Sequence, residues 1–381
     1  MMTKKQRRDV RGGLLTVLCA AAIFGLNACH TGETDIQKPD QSSAFNSNLS
    51  EETVQKTEAF PEPNPIFYDV EDGHMQLIPD LSFKGGISIL SQKDHANGDA
   101  VSVLGTHDFY SGGEAPNARW MLAQWDSGPC LYQMMQSLSG QTDIGANRIT
   151  DGVGRTFAFD EKDNIMTFEL DTALYYEDRP AALGDFWPHL LIEQGDFDYT
   201  NRTEEQKAYF RCDSSRMVVS LDLRLTDYSA VPKDGDWVEA AQFLLYFYVK
   251  GIETDDFCWF GLQLFDNRWE RNDNYVGYDG GKADASGAMI YSIGSRYLYT
   301  KKDATLWKNG APNPHSDWVH VEIDLKPYLE EMLSLGLADG YFKADSLSGL
   351  CINGMNMGWE TIATFDHTMQ VRNLSLTSYR E

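Results

Sequence analysis

Two stretches of this chain gather the side chains that recognition chemistry would need. Read as a strand, Trp187 to Gln194 puts Trp187, His189, Leu191 and Glu193 on one face, so a stacking ring, an imidazole and a carboxylate project together. That set suits a sugar, whose apolar ring face stacks on an aromatic while its hydroxyls bond to carboxylates and amides. It equally suits a core tryptophan beside a hydrogen-bonded histidine at a sheet edge. From Trp259 onward the same period of two sets Trp259, Gly261, Gln263 and Phe265 on a common face, and Gly261 is expected to leave a flat hollow beside the indole. Asp266, Asn267, Arg268 and Trp269 then fall where strand passes into loop, where recognition residues concentrate. The competing expectation makes Trp259 and Phe265 core residues.

Paired carboxylates offer a catalytic alternative. Glu322 and Asp324, and again Glu169 and Asp171, stand two apart on single strands. Retaining sugar hydrolysis needs two carboxyls about 5 to 5.5 Å apart, and neighbours on one strand face come near that spacing. The plainer reading leaves them as solvent-facing positions in a very acidic chain. Asp69, Glu71 and Asp72 precede Gly73 in a turn that either offers oxygen ligands to a calcium ion or is simply a solvated acidic turn. No GxSxG, HExxH, GxxxxGK[ST] or GxGxxG pattern occurs, which argues against the common hydrolytic and nucleotide-binding machines.

Strands must position these groups. In Met217 to Leu225, Val219, Leu221, Leu223 and Leu225 alternate with Ser220, Asp222 and Arg224, the pattern of a strand with one face in a core. Ile165 to Asp171, Val319 to Leu325 and Thr368 to Thr377 repeat it, with Val321, Ile323 and Leu325 inward. Gln242 to Val249 and Phe257 to Phe265 are apolar or aromatic on both faces, as central strands covered on each side would be. One short helix is expected after Leu325, with Pro327 in its first turn and Gly336 at its end. Many strands, one helix and loops rich in Gly, Asn and Asp predict a mainly β fold: an antiparallel β-sandwich of jelly-roll type over 66–381, in a single large domain.

The N-terminal stretch carries a different message. Lys4, Lys5, Arg7, Arg8 and Arg11 precede an apolar run from Leu14 to Gly25, which ends in Leu26, Asn27, Ala28 and Cys29. This order resembles a bacterial lipoprotein signal peptide over 1–28; an ordinary secretory signal, or an anchor left uncleaved, shares the positive start, although the apolar core is short for a span. The resemblance implies lipidation of Cys29 (palmitate among the acyl groups), cleavage before it, and an extracytoplasmic protein held on the cell envelope membrane by its lipid. Residues 29–65 read as a disordered spacer, because Thr, Gln, Ser, Glu, Asp and Pro there leave little apolar surface to offset ordering entropy. Cleavage would leave 27 Lys and Arg against 56 Asp and Glu, a net charge of −29, which argues against nucleic acid as a partner. Cys130, Cys212, Cys258 and Cys351 lack CxxC spacing, so a zinc ribbon is excluded. Disulfides remain open, as do buried free thiols for Cys258 and Cys351.

With that architecture the chain resembles the concanavalin-like, jelly-roll sandwiches of bacterial extracellular carbohydrate-active proteins. The likeness rests on the strand pattern, on Trp187 to Gln194, and on Gly358, Trp359 and Glu360 followed by the alternation from Met369 to Leu376. It implies a polysaccharide partner. Three roles follow: a glycan-binding sandwich without chemistry; a polysaccharide-degrading hydrolase with a Glu/Asp pair, or a lyase using His, Tyr and Arg; or a structural or adhesive envelope protein.

Overall fold

The computed structural model describes residues 68–90, 103–111, 115, 118–123, 147–176, 179–182, 185, 187–231, 239–268, 272–280, 286–299 and 305–380. The expected signal peptide and spacer, with Cys29, lie outside the described residues, as do Cys130 and Trp269. Among the described residues no helix is long and apolar enough to cross a membrane.

Two sheets face each other. Strands are numbered in chain order. The first sheet runs β16 (Val319–Asp324), β9 (Arg216–Ala230), β18 (Phe365–Tyr379), β7 (Ile165–Asp171), β6 (Arg155–Asp160) and β5 (Arg148–Thr150), with β1 (His74–Gln76) also on β18, making seven described strands. The second has nine: β12 (Tyr275–Tyr278), β13 (Met289–Ile293), β11 (Phe257–Asp266), β10 (Ala240–Gly251), β17 (Leu350–Ile362), β8 (Leu190–Gln194), β4 (Trp120–Ala123), β2 (Ile87–Leu90) and β3 (Val103–His107). A small hairpin pairs β14 (Trp307–Lys308) with β15 (Ala311–Pro312). The expected β-sandwich is thus present. Its ladders are antiparallel except β11 with β13 and β2 with β4, which run parallel and make the second sheet mixed.

The alternation read from the sequence carries into burial. Val219, Leu221, Leu223 and Leu225 are fully buried between the sheets, while Ser220, Asp222 and Arg224 stand half-buried on the opposite face. From the second sheet Phe243 meets Phe168 of β7 with ring centroids 5.1 Å apart, and Trp359 of β17 donates its indole N–H across the interface to the Phe168 carbonyl at 3.1 Å. Strands β10 and β17 are buried on both faces over nearly their whole length, as central strands should be.

The helix expectation needs correction. Three α-helices occur among the described residues: α1 (Glu204–Phe210), α2 (Ser295–Leu298) and α3 (Lys326–Ala338). The missed α1 does carry a local signal, since Thr203 and Gln206 form a capping box, each side chain bonding the other's backbone N–H. In α3 Pro327 opens the first turn as expected, but Gly336 does not end the helix. It lies inside, where a Cβ would fall 2.3 Å from the Phe342 ring, and the chain turns instead at Gly340 with φ +70°. Cys212, Cys258 and Cys351 are buried free thiols, in line with that reading of Cys258 and Cys351. Burial pushes all three up in pKa.

Candidate functional site

The side of the nine-stranded sheet turned away from the core collects polar and aromatic groups. On β10 the core takes Phe243, Leu245, Phe247 and Val249, so the period of two sends Gln242, Leu244, Tyr246 and Tyr248 outward. Ladder register then lines up one row across four strands: Glu193 opposite Asn356, Asn356 opposite Tyr246, and Tyr246 opposite Gly261. A second row sets Tyr248 opposite Trp259, and Trp259 opposite Ile290.

These rows meet in one contact. Tyr248 donates its hydroxyl to a Glu193 carboxylate oxygen at 2.6 Å, and its ring stands edge-on to Trp259 with centroids 5.0 Å apart. Phe257 also packs edge-on against Trp259 at 4.9 Å, beside Tyr248, and Tyr246 reaches it at 6.4 Å. Burial, followed by the Glu193 charge, holds Tyr248 well above the usual tyrosine pKa, so its proton stays available to the carboxylate. Tyr248 and Glu193 are nearly buried, whereas Trp259, Phe257 and Tyr275 keep part of their surface exposed. Glu193 and Trp259, read as members of separate motifs, therefore belong to one group. Tyr248 joins them: the Gln242 to Val249 run reads as apolar or aromatic on both faces, and tyrosines two apart on one face are the signal it carries.

A second polar group lies at the end of β11. The expectation that Phe265 shares the Trp259 face fails, for a local reason. Phe243 pairs with Phe265 but Leu244 pairs with Gln263, so Leu264 is an extra residue in a β-bulge. Beyond the bulge the faces exchange. Phe265 turns into the core, stacked on Trp307 at 5.1 Å, while Asp266 comes round beside Gln263. Asp266 is fully buried and accepts from Gln242 Nε2 at 2.9 Å, Gln263 Nε2 at 2.8 Å and the Arg268 guanidinium at 2.9 and 2.6 Å. Gln263, Asp266 and Arg268 thus do converge, with Gln242 added. The hollow expected beside Gly261 is filled, since a Cβ there would fall 2.4 Å from the Tyr246 ring.

Trp187 and His189 directly precede β8, an inner strand of the same sheet, and because the strand begins only at Leu190 the single face expected over Trp187 to Glu193 is interrupted. Their rings meet edge-on at 6.4 Å. His189 Nδ1 accepts from the Thr361 amide at 3.1 Å, which places the proton of the neutral ring on Nε2, and Arg155 Nε holds the His189 carbonyl at 3.0 Å.

The remaining candidates fall elsewhere. Glu322 is exposed on β16, 3.9 Å from His320, while Asp324 accepts from the amides of Met217 and Lys326 at 3.2 and 3.1 Å and anchors the strand end. Glu169 and Asp171 lie on the outer face of the seven-stranded sheet near Asp366, whose pKa is pushed to about 6 by burial first and then by Asp171, Asp227 and Glu169. Asp69, Glu71 and Asp72 do not converge on a metal; among the described residues no group of three or more potential ligands was found. Glu71 and His74 exchange backbone hydrogen bonds at 2.9 and 2.8 Å, and Asp72 and Gly73 have φ of 44° and 76°, a tight turn with its three carboxylates exposed.

Hydrolysis by two carboxylates finds little support on the outward face of the nine-stranded sheet. Glu360 of β17 shares that face with Glu193, but Glu193 is opposite Asn356, so the two lie four register positions apart. At roughly 3.4 Å per residue their Cα atoms stand about 14 Å apart along the strands, and the Glu193 carboxylate is engaged by the Tyr248 hydroxyl. Asp266 is committed to Arg268 and two glutamines. What the face offers is stacking beside charged and amide hydrogen-bond groups.

No family model matches this sequence, and no curated protein matches it. Solved structures with similarity include the endoglucanase cel12A from Rhodothermus marinus, at 10% identity over 60% of this chain and 88% of that one, TM-score 0.32. The xyloglucanase domain of NopAA, a type three effector from Sinorhizobium fredii in complex with cellobiose, is 11% identical over 59% of this chain and 87% of that one, TM-score 0.33. A family 12 xyloglucanase from Bacillus licheniformis is 10% identical over 59% and 85%, TM-score 0.34.

Proposed function

We propose that this protein binds a saccharide on the outward face of its nine-stranded sheet, without chemistry, and is held on the envelope membrane through lipid on Cys29. The observation that supports binding is the Glu193, Tyr248 and Trp259 group: an indole with exposed surface, braced edge-on by two rings, beside a carboxylate oriented by a tyrosine hydroxyl. Sugars need both a flat apolar surface and fixed hydrogen-bond partners, and a braced ring loses little entropy on binding. The engagement of Glu193 by Tyr248 and of Asp266 by Arg268 and two glutamines supports binding over two-carboxylate hydrolysis.

Trp259→Ala should weaken retention on the polysaccharide the parent binds by about 1 to 3 kcal/mol, the scale of one large stacking surface, while thermal unfolding shifts modestly. Retention and release of reducing ends are to be measured together across a polysaccharide panel. A parent that retains nothing, or a variant that binds as the parent does, would sink the reading. Sugar release abolished by Glu193→Gln would replace it with an enzyme.

Anchoring is tested separately. Cys29→Ser should move the protein to the soluble fraction or leave it unprocessed, and fatty-acid labelling that persists in the variant would rule the anchor out.

A further inference from the structure

On the opposite side of the molecule, the outer face of the seven-stranded sheet carries a tryptophan with unusual neighbours. Trp318 directly precedes β16, and its half-buried indole has the guanidinium carbons of Arg224 and Arg372 over the ring, 4.5 and 4.2 Å from the centroid. Each arginine is fixed through Nε alone. Arg224 donates to Gln370 Oε1 at 2.8 Å, and Gln370 is itself held by Thr167 at 3.1 Å; Arg372 donates to Asp222 Oδ2 at 3.2 Å. The ring is thereby held in place before any ligand arrives, and the four Nη groups have no acceptor among the described residues.

The charge pattern sets Arg224 apart. In a chain of net charge −25, Arg155, Arg179, Arg268 and Arg296 each sit against a carboxylate. Arg224 has a neutral amide as its hydrogen-bond partner instead, and among the described residues no carboxylate lies within ion-pair distance of it. A cation beside an aromatic surface, with its fork of donors unused, matches a ligand that presents a ring face and a carboxylate together.

We propose that this face is a second saccharide site, in which Trp318 stacks on a pyranose whose carboxylate is received by the Nη groups of Arg224 and Arg372: a uronate-bearing glycan. The site shares no residue with the Glu193, Tyr248 and Trp259 group and stands or falls independently of it. The overall negative charge opposes such a ligand at long range, but at about 0.1 M salt the Debye length is only about 10 Å, so local contacts decide the outcome.

The test is calorimetric titration of the full-length protein with oligogalacturonate, and with a neutral galacto-oligosaccharide of the same length, at low and at high salt. The parent should bind the uronate, more weakly as salt rises, and prefer it to the neutral oligomer. Arg224→Gln and Trp318→Ala should each weaken binding about tenfold or more with unfolding temperature little changed, since both side chains stand on the solvent side of the sheet. Trp259→Ala should leave uronate binding as it is. Failure of the parent to bind oligogalacturonate would overturn the proposal, as would parent-like binding by folded Arg224→Gln and Trp318→Ala. Equal competition by polyglutamate would overturn the saccharide in favour of a general polyanion surface, and loss of uronate binding in Trp259→Ala would return the ligand to the first site.

Discussion

Trp359→Ala should destabilise the protein by about 3 to 5 kcal/mol, the range for deleting a large buried aromatic, and move the denaturant midpoint accordingly. The size follows from position. Trp359 is fully buried where the two sheets meet, with Phe243 at 5.1 Å and Phe265 at 5.8 Å edge-on, His367 stacked at 3.9 Å, and its N–H given to β7. A cavity there is lined by rings belonging to two ladders, and neither ladder can close over it without breaking register. Trp259→Ala, on the opposite face of the same sheet and partly exposed, should cost much less. Similar losses from the two variants would mean that Trp259 is a core residue after all.

Acid should unfold the protein by a second route, through His367. This imidazole is fully buried, stacked on Trp359 and bonded at Nε2 to Thr361 Oγ1 at 3.0 Å, and burial drives its pKa from 6.5 down to about 3. Between those values the unfolded chain binds the extra proton, so stability is fully present above about pH 6.5 and falls as pH drops toward 3, by on the order of 4 kcal/mol.

Asp366 acts in the opposite sense. Its raised pKa of about 6 means that its contribution is fully present below the unfolded value of 3.8 and is lost as pH rises through 6. The two windows overlap. His367 should dominate, because its shift is larger and its site dry, whereas solvent screens the partly exposed Asp366. Unfolding free energies between pH 3 and 8 should therefore rise with pH. His367→Gln should flatten the acid limb, and Asp366→Asn should raise stability near neutrality while leaving that limb in place. An unchanged acid limb in His367→Gln would assign it to other groups.

The sequence by itself determined the sandwich and most of its strands, because burying one face of a sheet forces alternation into the composition. Met217 to Leu225 and Ile165 to Asp171 announce that alternation without help from distant residues, and the Thr203 and Gln206 capping box is a local signal of the same kind. Cys258 and Cys351 could be read as buried thiols from their apolar neighbours. The candidate site was different: its members Glu193, Trp259, Gln263, Asp266 and Arg268 could be named, but not their grouping. Glu193 meets Tyr248 only because β8 and β10 both flank β17, a choice of pairing made by whole sheets packing. One added residue at Leu264 then exchanges the faces of Phe265 and Asp266, and nothing local marks it, since a bulge is fixed by the register of the neighbouring strand. Period and composition are properties of one segment. Which side chains meet depends on ladder register between segments far apart in the chain, and that is settled only when the core closes.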